Sequence, residues 1–290
     1  MATANQTEQP VEAIAQSPVS AKVLVNSLPK SGTNLLASIL DCTPGVQFQR
    51  VILNRNLRWH PFNYLPFGDR RTCFAGVDQP AKVTLGAVRQ VLSKLQPGCY
   101  TSAHMPYNAG VEDILAKFNI RPFFVIRDPR DVVVSGAKHA MQHTGHFLHE
   151  EYKRLPSDKA RLLAAIRGIQ RADGSFLGSD MAAKLRSIEG WLNAPSVVTL
   201  KFEDMIGAQG GGSDGTQQAA ILKVGEHIGL PLTPPMALDI GHRAFGRGNT
   251  FRAGQIGSWR QSFDDEVKAI FKQEAGALLI KMGYEQNDDW

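Results

Sequence analysis

The chain has 290 residues, of which 43% are hydrophobic and 20% charged, and it carries a net charge of +5. That length buries a full core in one α/β domain with long loops, and the basic balance suits an anionic ligand. With no run of five like charges it lacks the dense basic stripe of a nucleic-acid surface, so no nucleic-acid partner is expected. Its three cysteines, Cys42, Cys73 and Cys99, are widely spaced and free of any CxxC pattern, which excludes a disulfide framework or zinc ribbon and points to a reducing, cytoplasmic setting.

Residues 1–20 are small and polar, lack the basic start and apolar core of a secretory signal, and are expected to be a disordered tail ahead of a single domain over 21–290. No apolar run approaches membrane-spanning length, so a soluble protein with no membrane partner is expected. The stretch from Lys22 to Leu40 opens on Val23, Leu24 and Val25, turns through Ser27 to Thr33, and continues with Leu35, Leu36, Ile39 and Leu40 at helical spacing. This is a strand, a tight loop and a helix. The loop's N–H groups and the helix N-terminus converge on one point, Lys30 adds a point charge, and Ser31 and Thr33 add hydroxyls. Such a turn suits phosphate or sulfate, although a lysine in an ordinary turn would read the same way.

From Gly45 to Lys82 no period is sustained, but Phe48, Trp59, Phe62, Tyr64, Phe67 and Phe74 suggest a lid or wall over a pocket, or an irregular loop pinned to the core by its rings. Helical spacing follows over Val83 to Leu95, then a short strand over Gly98 to Ala103 that exits at His104. A helix over Gly110 to Phe118 precedes the apolar strand Phe123 to Ile126. Asp128 then caps and Pro129 opens a helix through Met141. Helices are expected at Asp158 to Ile169 and Asp180 to Leu192, a strand at Ser196 to Phe202, and a glycine-rich connector at Gly207 to Gly215. A helix over Gln217 to Ile228, closed by Gly229, and a final helix over Asp264 to Met282 complete the reading. Strands alternating with helices predict a three-layer α/β/α fold around a mainly parallel sheet, with a P-loop-like anion-binding loop.

Four stretches occur in the order of one known family. LPKSGTNLL (Leu28 to Leu36), SAHMP (Ser102 to Pro106), IRDPRDVVVS (Ile126 to Ser135) and FRAGQIGSWRQSF (Phe251 to Phe263) together resemble the sulfotransferases that use 3′-phosphoadenosine 5′-phosphosulfate, PAPS. TLKFEDM (Thr199 to Met205) is a weaker fifth match. The resemblance implies that PAPS is the donor and that no metal is required. It also implies phosphosulfate contacts from Lys30, Ser31, Gly32, Thr33, Asn34 and Leu35, and a 3′-phosphate grip from Arg127 and Ser135. Arg252, Ala253 and Gly254 would complete the nucleotide site, and Lys30 and His104 would be catalytic.

The chemistry asks for the same residue types. Sulfuryl transfer, like phosphoryl transfer, needs in-line positioning and stabilisation of charge on the leaving oxygen, which suits Lys30. The acceptor hydroxyl or amine loses a proton as it attacks, which suits a histidine, here His104. A phosphate is best gripped by a planar bidentate guanidinium, which favours Arg127. Two departures stand out: Leu35 occupies the place where the family often has an adenine-stacking tryptophan, and Ala253 replaces a lysine, with Arg247 near enough to compensate.

Rival readings have discriminators. A kinase or NTPase P-loop needs a Gly-Lys pair, and the chain has none. Gly210, Gly212 and Gly215 satisfy GxGxxG but sit in the connector rather than in a strand-to-helix turn. A binding module without transfer would not need both Lys30 and His104. His139, His143, His146 and His149 have spacing that invites a metal, but Thr144-Gly145 interrupts the helix, and a pocket or surface role is expected instead. The acceptor is expected to be a small molecule, and nothing in the motifs identifies it.

Overall fold

The computed structural model describes residues 19–51, 53–247 and 255–290; residues 1–18 of the expected tail and Arg252, Ala253 and Gly254 lie outside the described residues. Strand β1 (Lys22–Ser27) turns through residues 28–32 into α1 (Thr33–Cys42). A two-residue strand β2 (Gln47–Phe48) and an antiparallel hairpin of β3 (Thr72–Ala75) and β4 (Ala81–Thr84) lead into α2 (Leu85–Leu92). Next come β5 (Cys99–Ala103), α3 (Ala109–Lys117), β6 (Ile120–Ile126) and α4 (Pro129–Gln142). Helices α5 (His149–Arg154) and α6 (Asp158–Arg167), a small hairpin of β7 (Ile169–Gln170) and β8 (Phe176–Gly178), and α7 (Met181–Asn193) precede the last sheet strand. That strand is β9 (Val198–Lys201), followed by α8 (Phe202–Met205), α9 (Asp214–Ile228), α10 (Pro234–Ala244) and helical turns over 259–281.

The main sheet has five strands in the order β2-β5-β1-β6-β9, and every pairing is parallel. Its central strands are apolar on both faces, and their alternation sorts them into two cores. Leu24, Phe124 and Ile126 point into one, with side chains of α2, α3, α4, α6 and α7. Val23, Val25, Phe123 and Val125 point into the other, with α1, α9 and α10. Three layers result. Leu36, Ile39 and Leu40 of α1 are fully buried, each contributing about 1.5–3 kcal/mol relative to exposure.

Local chemistry fixes the helix starts. Thr84, Asn108, Asp128, Ser157, Asp180, Ser213, Thr233 and Asp264 each cap a helix by accepting an N–H from its first turn. Gly229 ends α9 in the left-handed conformation, as expected. Several elements differ from the sequence reading. The helix expected from Val83 begins at Leu85, because Val83 and Thr84 pair with Cys73 and Thr72 and Thr84 becomes the cap. Helix α10 was not foreseen, since Pro231 reads as a stop; Thr233 and two prolines restart the chain at once. The final helix is broken by a wider π turn over Lys272–Gly276.

Arg130 ties α4 to the C-terminal region. It is 2% exposed, pairs with Asp128 at 2.7 Å and Glu285 at 2.6 Å, and its guanidinium lies over the rings of Trp259 at 3.8 Å and Trp290 at 4.4 Å. Removing one partner of such a buried arrangement strands the others. Arg130→Ala is expected to cost about 3 kcal/mol in denaturant unfolding; a loss under about 1 kcal/mol would mean the stack is not structural.

Candidate active site

Three neighbouring parallel strands end level with one another, and their register decides which residues gather at that edge. Asn26 of β1 lies opposite Ala103 of β5, and Ser27 lies opposite Val125 of β6. The next residues along are the 28–32 turn, His104 and Arg127, all on one edge. An open parallel sheet presents ligands with its carboxyl edge where the chain order reverses, and here β1 sits between strands reached in opposite directions.

In the turn, the Ser31 N–H donates to the Leu28 carbonyl at 3.2 Å. Lys30 (φ 71°) and Gly32 (φ 108°) are both left-handed. For a lysine that conformation costs of the order of 1 kcal/mol, a strain typical of functional turns. Gly32 has no substitute, because a Cβ there would meet Cδ2 of Phe202 at 2.8 Å. Thr33 then opens α1, whose first N–H groups have no partner within the helix and face the same space.

His104 follows β5 directly. Its Nδ1 lies 2.9 Å from the Ser27 carbonyl oxygen. A carbonyl only accepts, so Nδ1 carries the proton and Nε2 keeps its lone pair. The backbone beyond the ring is clamped: the Met105 N–H donates to Asn26 Oδ1 at 2.9 Å, and Asn26 Nδ2 donates to the Met105 carbonyl at 3.0 Å. Trp191 Nε1 donates to that same carbonyl at 2.9 Å. Burial pushes the His104 pKa below the ordinary imidazole value and the Lys30 charge adds to this; the Ser27 hydrogen bond and the Asp78 charge oppose it.

Arg127 follows β6. It is 8% exposed, donates through Nη2 to the Gln255 carbonyl at 2.9 Å, lies 3.6 Å from Asp131, and rests over the Phe202 ring at 4.2 Å. Its buried Nε meets no hydrogen-bond acceptor among the described residues. An unfilled guanidinium donor beside an anion-binding turn matches a phosphate oxygen.

One cavity of about 480 Å³ joins these groups. Its lining includes Lys30, Gly32, Thr33, Asn34 and Leu35, with Arg127, Ser135 and Arg247. It also includes His104, Asp78, Lys184, His146, Tyr152 and Met181. Of the expected site residues within the described range, Ser31 alone does not line the cavity; it is fully buried, and its Oγ has no partner among the described residues. Arg247 does reach the cavity, as its proximity in sequence suggested.

Other expectations fared differently. None of the rings between Phe48 and Phe74 lines the cavity, so this segment does not roof the pocket; five of the six are exposed, and Phe62 alone packs against the core. The wall comes instead from Asp78, in the β3–β4 connection, which is held by Lys184 at 2.7 Å. His139 and His146 line the cavity, whereas His149 is buried with its Nδ1 2.9 Å from the Ala140 carbonyl. Among the described residues no group of three His, Cys, Asp or Glu side chains is arranged to hold a metal ion. Asp128 acts as a cap, and Glu203 accepts the Asp128 N–H at 2.9 Å, an orienting role in both cases.

Sequence reading missed Asp131. It is wholly buried and accepts three hydrogen bonds, from the Gly257 N–H at 2.8 Å, the Ser258 hydroxyl at 2.9 Å and the Trp259 N–H at 2.9 Å. It thereby joins the IRDPRD turn to the GSW segment, two stretches whose match in order hinted at proximity but not at a link. Asn26 and Asp78 were also missed, because neither belongs to a motif.

The family profile described as the sulfotransferase domain matches residues 20–234. The chain belongs to this family. Among solved structures it is similar to mouse sulfotransferase SULT7A1 complexed with PAP, with 15% identity, a TM-score of 0.57, and coverage of 90% of this chain and 89% of that one. It is also similar to retinol dehydratase in complex with androsterone and the inactive cofactor PAP, with 15% identity, a TM-score of 0.54, and coverage of 91% and 82%. At such identities the likeness is one of fold. No curated protein sequence matches the chain.

A base must be neutral to accept a proton, and the lowered pKa keeps this sulfotransferase's His104 neutral to more acidic pH than a free imidazole. Activity should be lost only as pH falls through that depressed value. The acid limb of kcat/KM against pH is therefore expected below pH 6.5; a limb at or above 6.5 would show that His104 is not the titrating base.

Proposed function

We propose that the chain moves a sulfuryl group from PAPS to a hydroxyl or amine of a small-molecule acceptor, within a single domain spanning 21–290 and in the cytoplasm. The observation that carries this reading is the convergence of Lys30, His104 and Arg127, each just past the end of a neighbouring strand, in one cavity. PAPS supplies an activated sulfuryl group on a phosphate leaving group, and the chain supplies position and charge.

The turn N–H groups and the α1 N-terminus receive the anionic group, and Lys30 sets a positive charge beside the oxygen that gains charge during transfer. Arg127, with its unfilled Nε, and Ser135 grip the second phosphate. Arg247, exposed at the cavity rim, adds a further cation. His104 takes the acceptor's proton on Nε2, while Nδ1–H stays on the Ser27 carbonyl and holds the ring in the productive tautomer. The acceptor takes the side formed by Asp78, Lys184, His146 and Tyr152, which offers both signs of charge and a hydroxyl. In a cavity that also holds a nucleotide, it is a small, polar-edged molecule.

The roles separate experimentally. Lys30→Ala is expected to lower kcat by about two to three orders of magnitude while leaving PAP affinity within a few fold. Arg127→Ala should weaken PAP binding by about ten- to a hundredfold. Calorimetry with PAP and a labelled-donor assay over alcohols, phenols and amines measure the two quantities. Absence of PAP binding to the unaltered protein would sink the proposal, and PAP binding without transfer or donor hydrolysis would make the chain a binding module.

A further inference from the structure

The segment between β2 and β3 is built unlike the rest of the surface. Seven large hydrophobic side chains are exposed among the described residues, and four of them, Trp59, Tyr64, Phe67 and Phe74, fall within sixteen consecutive positions. Trp59, Tyr64 and Phe67 are each 66% exposed. Arg50, Arg55, Arg58, Arg70 and Arg71 share the segment and are all exposed, against a single acid, Asp69, which is already paired with Arg71 at 2.8 Å. Five arginines against one aspartate give +4, so residues 48–74 carry nearly all of the chain's net +5. Clusters of aromatic rings standing out into water are unusual on a monomer.

The rings and cations are arranged together. The Arg58 guanidinium lies over the Trp59 ring at 4.6 Å, and the Tyr64 hydroxyl donates to the Arg58 carbonyl at 2.9 Å. Short 3₁₀ turns over Arg55–Trp59 and Pro61–Asn63 hold the first two rings out, and strand alternation turns Phe74 outward while Cys73 and Ala75 are buried. The base beneath is fixed: Asn63 Nδ2 donates to the Leu57 carbonyl at 2.7 Å, and Asn63 Oδ1 accepts the Thr84 N–H at 2.8 Å. Rigid support with protruding rings suits insertion into another phase.

We infer that residues 48–74 form a peripheral docking surface for an anionic lipid bilayer, with Trp59, Tyr64 and Phe67 entering the headgroup layer and the arginines meeting its negative charge. This departs from the expectation of no membrane partner, which rested on spanning length alone; among the described residues no helix is long and apolar enough to cross a membrane. Aromatic rings favour the polar–apolar boundary, and basic side chains beside an anionic leaflet each contribute about 1 kcal/mol. A bilayer accepts rings at any spacing, whereas a folded partner needs a pocket for each. A symmetric second copy would set five arginines against five more. The same segment reaches the cavity wall, since Arg55 hydrogen-bonds Gln79, the neighbour of Asp78, and lies 5.8 Å over the Phe147 ring.

The test is sedimentation of the full chain with phosphatidylcholine vesicles, with and without about one-third phosphatidylserine. Binding to the anionic vesicles alone, at least about tenfold tighter and reversed by raising salt to about 0.5 M, is expected. A Trp59→Ala, Phe67→Ala double variant and an Arg58→Glu, Arg70→Glu double variant should each lose about tenfold or more while keeping the melting temperature. Failure of the unaltered protein to bind anionic vesicles would overturn the inference. So would vesicle binding that both double variants retain, or a dimer in ultracentrifugation that the same substitutions dissociate. None of these readouts depends on sulfuryl transfer.

Discussion

The site rests on the parallel register of β5, β1 and β6. Strands of a parallel sheet all point the same way, so pairing Asn26 with Ala103 and Ser27 with Val125 places the exits of three strands along one line. Each exit delivers one polar residue type that transfer chemistry needs: a lysine in a tight turn, a histidine and an arginine. A slip of one residue would exchange the two cores and turn the exit side chains away from one another. The fit of each face to its own layer of helices opposes that slip.

Buried charge then links the strand exits to the remainder of the chain. Asp131, wholly enclosed, accepts three hydrogen bonds from residues 257–259 and lies 3.6 Å from Arg127. A carboxylate in that position is tolerated only when its lone pairs are filled, so the C-terminal segment is held against α4 as tightly as the aspartate needs it. Arg130, on the neighbouring face, repeats the logic with Asp128, Glu285 and two indole rings. The segment that gives Arg127 its Gln255 carbonyl is thus positioned by residues that do not themselves touch a ligand.

Much of this was legible in the sequence, for identifiable reasons. β1 and β6 announce themselves because each holds a continuous apolar run buried on both faces, Val23 to Val25 and Phe123 to Ile126. The turn at 28–33 reads as an anion site because its glycine, lysine and hydroxyls have few other reasons to occur together. What stayed hidden depends on distant pairing. The β3–β4 hairpin exists because Cys73 meets Val83, a contact that local helical spacing at 83–95 obscures. Asp78 gains its place from Lys184, more than a hundred positions away. The rings of 48–74 suggest a lid or a core-pinned loop, while the exposure of Trp59 and Tyr64 follows from 3₁₀ turns that carry no periodic signature.

The cavity lining comes from two kinds of element. One is written into strand exits and the first turn of α1, where a change of register or of Gly32 would disturb the whole sheet. The other is drawn from the β3–β4 connection, the far end of α4, the loop before α5, and α5 and α7, which lie on one flank and can change side chains without altering strand pairing. Substitutions on that flank leave the strand register in place, and with it the exits that carry Lys30, His104 and Arg127.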